Sequence, residues 1–80
     1  MPVFHILPGD IRIVIHFNDH PPPHVTVYRS EYKASVTIAE GNLIAGELPD
    51  KVLAKVQAFL EANRGEAMAR WNELNPPLQR

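Results

Sequence analysis

From Ile11 to Phe17 the chain alternates, with Ile11, Ile13, Ile15 and Phe17 on one side and Arg12, Val14, His16 and Asn18 on the other. A period of two marks a half-buried β-strand. Pro8-Gly9-Asp10 ahead of it is turn chemistry. The apolar run Val3-Phe4-His5-Ile6-Leu7 is therefore placed to pair back, giving a hairpin over residues 3–17. Alternation resumes at Val25-Thr26-Val27-Tyr28, turns at Arg29-Ser30-Glu31 and returns from Tyr32 to Ile38. In this second hairpin Ala34, Val36 and Ile38 share one face, and Lys33, Ser35 and Thr37 the other. Glu40-Gly41-Asn42 marks a further turn, after which Leu43-Ile44-Ala45-Gly46 reads as a final short strand or an extended lead into a helix.

Beyond Pro49 the period lengthens. Leu53, Val56, Leu60, Asn63, Ala67, Trp71 and Leu74 recur at steps of three and four, the stripe of an amphipathic helix. Pro49 suits the first turn, Asp50 the positive helix end, and Asn75-Pro76-Pro77 a stop. Within this stretch Asn63-Arg64-Gly65 predicts either a kink or two shorter helices, because an interior glycine costs about 1 kcal/mol against alanine. Trp71 sits on the stripe and is assigned to the core; the mixed charges of Lys51, Lys55, Glu61, Glu66, Arg70 and Glu73 read as a solvated helix face.

A one-sided sheet and an amphipathic helix each need a cover. The fold expected is α+β: a small antiparallel β-sheet of four or five strands packed on a C-terminal α-helix, as a single domain over residues 1–80. A chain of 80 residues buries only about 60% of the surface its unfolded form exposes, so its core is thin. At 45% hydrophobic and 21% charged residues, disordered and low-complexity classes drop out. The absence of cysteine removes disulfides, thiolate metal sites and thiol catalysis. The N-terminal residues lack the basic stretch and long apolar core of a secretory leader, and no segment approaches the length of a membrane span. The expected location is the cytoplasm, with no membrane partner. A formal charge of −1 means that nucleic-acid binding would need a local basic patch.

The unusual stretch is Phe17-Asn18-Asp19-His20-Pro21-Pro22-Pro23-His24, set between two strands. Three prolines fix φ and supply no N–H, which predicts a short polyproline II strut between His20 and His24. Asp19 closes the preceding strand through its own backbone. Strand parity places Arg12, His16, Asn18, His24, Thr26, Tyr28, Lys33, Ser35 and Thr37 on the sheet face away from the helix. That face is either ordinary solvated polarity or a ligand- or RNA-binding platform. From it the candidate functional residues are Asp19, His20, His24, Arg12, His16 and Tyr28. Convergence of His16, His20 and His24 would allow a metal, but the spacing matches no established zinc pattern, so neither a metal nor a cofactor is expected. Acid–base cleavage of RNA by paired histidines, with Arg12 or Lys33 on a developing phosphate charge, is the catalytic alternative; the residues leave open whether the chain is an enzyme.

The run Phe17-x-Asp19-His20-x-Pro22-Pro23-His24, a following Tyr/Lys strand and Gly46-Glu47-Leu48-Pro49 before a helix carrying Trp71 resemble a family of small bacterial proteins, domain of unknown function four-one-six-zero. The likeness spans nearly the whole chain. It carries Asp19, His20 and His24 over by position, while Arg12, His16 and Tyr28 come from strand facing. Family members commonly have a further histidine two positions after the one matched by His24, where this chain has Thr26. The resemblance implies one half of a two-gene, toxin–antitoxin-like module that binds a cognate small protein encoded by an adjacent gene and acts on RNA or translation. The alternative is a non-catalytic protein-interaction module in which the Asp-His-Pro-Pro-Pro-His loop is a rigid turn. An open sheet edge in so small a domain also predicts pairing, as a homodimer or a heterodimer.

Overall fold

The computed structural model describes residues 3–17 and 20–76. Five strands, β1 (Val3–Leu7), β2 (Ile11–Val14), β3 (His24–Arg29), β4 (Tyr32–Thr37) and β5 (Leu43–Gly46), are followed by helices α1 (Asp50–Ala62) and α2 (Arg64–Leu74). The strands form one antiparallel sheet in chain order, so the α+β architecture expected from the pattern is present.

Turn chemistry sets the registers. Leu7 pairs with Ile11 across a three-residue loop in which Gly9 and Asp10 both take positive φ. Arg29 pairs with Tyr32 across the two-residue Ser30-Glu31 loop, with Ser30 at φ 52°. At the far edge Gly46 lies at φ 78°, where a Cβ would overlap the Lys33 carbonyl oxygen and come within 2.8 Å of Ala34 Cα. Only glycine brings β5 this close to β4.

One sheet face carries Ile11, Ile13, Val25, Val27, Ala34 and Val36, which with Ile15 and Ile38 pack against Leu48, Val52, Val56, Leu60, Ala67 and Trp71. The helix stripe is as expected at Val56, Leu60, Ala67 and Trp71, but Val52 rather than Leu53 is the buried residue of the first turn. β2 stops at Val14, and Phe17 is 60% exposed instead of joining Ile11, Ile13 and Ile15 in the core. The alternation therefore outlasts the strand itself.

The doubtful point at Asn63 is a break between two helices. Asn63 leaves helical geometry at φ −125°, ψ 26°, and its side-chain Nδ2 donates to the Phe59 carbonyl at 2.9 Å. The first bond of the new helix runs from the Ala67 N–H to the Asn63 carbonyl, and Gly65 falls in the first turn of α2 rather than in a helix interior. The break redirects the chain. Arg64 Nε donates to the Ile38 carbonyl beyond β4, Trp71 meets His24 at the start of β3, and Asn75 Nδ2 donates to the His16 carbonyl beyond β2. α2 thus runs across one end of the three central strands. Its 11 residues span about 16 Å at 1.5 Å per residue, enough to cross two strand spacings of about 10 Å together.

Candidate functional site

The proline loop and α2 meet at this end of the sheet. His24 opens β3, and its Nδ1 lies 2.8 Å from the Pro22 carbonyl. A carbonyl can only accept, so Nδ1 donates this bond. The ring also packs on the Trp71 indole at a centroid distance of 5.2 Å with a 49° tilt. The segment bends at residues 21 and 22, so the prolines do not form the extended strut expected of them. His20 is exposed, and His16 is half-buried with its carbonyl held by Asn75. Asp19 and Asn18 lie outside the described residues. Among the described residues no group of three or more histidine, aspartate or glutamate side chains could hold a metal ion.

Arg12 and Tyr28 are cross-strand partners, and Lys33 completes the same rung with Nζ 5.8 Å from the Tyr28 ring centroid. Cation–π attraction at such a partly solvated site contributes about 0.5–1 kcal/mol. His24 lies four residues from Tyr28 along β3, about 13 Å away at 3.3 Å per residue. Four of the six candidates therefore divide: Arg12 and Tyr28 at one end, and His24, beside α2 with the His16 carbonyl, at the other.

Between them the face is not uniformly solvated. Val14 and its partner Thr26 are 1% and 4% exposed, and Val14 stands apart from the main core. Thr37 is a structural residue: its Oγ1 accepts from the Asn42 N–H at 3.0 Å, fixing the β4–β5 turn. α1 ties into that turn through Gln57 Nε2, which donates to the Gly41 carbonyl at 2.8 Å.

One group escaped sequence reasoning. Arg29 follows Val25 and Val27 on the helix-facing side of β3 and lines a cavity with Lys51 and Lys55 of α1. The available signal was parity, since an arginine stood where the apolar series called for a core residue.

A five-stranded antiparallel meander covered by two helices, with a histidine-bearing proline loop at one end, defines a small α+β class. The family described as Domain of unknown function (DUF4160) matches residues 10–72, and the chain belongs to that family. No curated protein and no solved structure matches it. No helix among the described residues is long and apolar enough to cross a membrane.

Proposed function

We propose that the chain is the partner-binding component of a bacterial two-gene module of toxin–antitoxin type, docking a cognate small protein along the free edge of β5. The observation that carries this reading is the edge itself. Among the described residues β5 pairs with β4 alone, all four of its residues are exposed, and Leu43 and Ile44 present apolar side chains. It holds neither a charge nor a proline, the devices that usually blunt an edge strand. An extended segment added there gains main-chain hydrogen bonds, with side-chain contacts selecting the partner. The two-gene setting comes from the family resemblance.

Within this reading the proline loop is a rigid turn. The hydrogen bond of His24 to Pro22 and its packing on Trp71 favour that role over proton transfer.

The test is co-expression with the product of the adjacent gene in a bacterial host, following complex formation, growth and total RNA integrity. A stable complex that is lost on Ile44→Lys, with the variant still folded, supports edge docking. Growth arrest by either chain, relieved by the other, supports the module, and RNA loss during arrest identifies RNA as its target. An Ile44→Lys variant that binds the neighbour unchanged sinks the edge assignment.

A further inference from the structure

The end of the sheet opposite α2 holds a cavity of about 250 Å³ between the β1–β2 turn, the end of β3 and the start of α1. Arg29, Lys51 and Lys55 line it together with Gly9, Pro49 and Val52, and among the described residues no carboxylate does. We infer that this cavity binds a phosphate group.

Three observations converge. The first is the unmet donor: Arg29 Nε is buried and has no hydrogen-bond partner among the described residues. A buried guanidinium N–H without an acceptor costs about 1–3 kcal/mol or more, because the group is charged, and such groups call for an explanation. An anion in the cavity, which Arg29 lines, offers the guanidinium an acceptor once the side chain turns its Nε toward it.

The second is charge. None of Arg29, Lys51 and Lys55 has an ion-pair partner among the described residues, where the recorded pair is Arg70 with Glu73 on α2. The acids that neighbour the lining residues in sequence, Asp10, Glu31 and Asp50, are all exposed and none lines the cavity. Three cations around one concavity match a phosphate dianion better than a carboxylate, which has fewer oxygens and half the charge.

The third is the helix end. Pro49 caps α1 without a side-chain hydrogen bond, and the first helical bond runs from the Leu53 N–H to the Pro49 carbonyl. The N–H groups of Asp50, Lys51 and Val52 therefore have no intrahelical acceptor, and Lys51 and Val52 lie at the cavity wall. The partial positive charge of the helix end adds to that of the side chains.

This site lies on α1 and β3, apart from the β5 edge, so the two assignments fail independently. The experiment is a titration of the full ¹⁵N-labelled chain with inorganic phosphate, against chloride at matched ionic strength, with a nucleoside 5′-monophosphate as a second arm. Saturable amide shifts confined to Gly9, Arg29, Lys51, Val52 and their neighbours are expected in the millimolar range or tighter. Tighter binding of the nucleotide assigns the site to a phosphate ester; equal binding assigns it to the free anion. Arg29→Gln should weaken binding about tenfold or more, the loss expected for a charge-assisted contact. Should that variant fail to fold, Lys51→Gln with Lys55→Gln, both at exposed positions, should give a comparable loss. Shifts no larger than with chloride, shifts spread over the whole surface, or unchanged affinity in a folded variant would overturn the assignment.

Discussion

His24 and Trp71 are joined across 47 positions of sequence, their ring centroids 5.2 Å apart. The contact locks the entry to β3 against the last turn of α2, and the Pro22 carbonyl accepts from the same imidazole. His24 is thus a structural joint at the meeting point of loop, sheet and helix. Replacing it with alanine removes a hydrogen bond of about 1 kcal/mol and an aromatic contact of about 0.5–1.5 kcal/mol. His24→Ala should therefore lower stability by about 2 kcal/mol in urea unfolding. An unchanged midpoint would show that the joint carries no load.

Asn75 closes the same end of the fold. Its buried side chain donates to the His16 carbonyl at 3.0 Å and to the Trp71 carbonyl at 3.2 Å. Asn75→Ala leaves the His16 carbonyl without this donor, at a cost of about 1–3 kcal/mol, while the Trp71 carbonyl keeps the Asn75 backbone N–H. Asn75→Asp should cost more, because a carboxylate then faces two carbonyl oxygens, and its deficit should shrink in acid as the carboxyl protonates and regains a donor. Thermal unfolding of both variants at neutral and acidic pH provides the comparison. Equal stability of the two at neutral pH would contradict the donor role.

At the edge, Gly46→Ala meets the Lys33 carbonyl and a positive φ together. A destabilisation of more than about 2 kcal/mol is expected, since neither obstacle can be relieved without moving β5. Hydrogen exchange should show β4 and β5 opening first, whereas protection equal to the parent would show that the close approach is dispensable.

Ser30 offers the opposite sign. A non-glycine residue at φ 52° carries a conformational cost of about 1–2 kcal/mol, which Ser30→Gly removes while adding freedom to the unfolded chain. The balance is a gain of about 0.5 kcal/mol, read as a rise in the thermal midpoint. A fall would mean that the serine side chain stabilises the turn.

Much of the sheet was legible because parity is a strong signal where one face is buried. Ile11, Ile13, Val25, Val27 and Val36 could face only one way without exposing the whole apolar series. Phe17 continued the alternation but not the strand, since periodicity records side-chain spacing and says nothing about where pairing ends. The helix break at Asn63 was visible as a choice and was decided by tertiary partners, chiefly the Ile38 carbonyl that Arg64 reaches. The candidate site was legible in part. Facing put Arg12 beside Tyr28, yet strand length separates them from His24, and a distance along a strand is lost when residues are sorted by face alone. Arg29, Lys51 and Lys55 were hidden because the two lysines match an ordinary helix surface until the sheet is placed beneath it.

The strand order 1-2-3-4-5 also bears on how the chain acquires its form. Every sheet pairing joins neighbours along the backbone, so each hairpin closes a short loop and requires no distant segment to be captured first. The contact from Asn75 to His16 spans 59 positions and closes a far longer loop. The sheet thus rests on local pairings that cost little loop entropy, and the residue after α2 latches its end through a long-range contact.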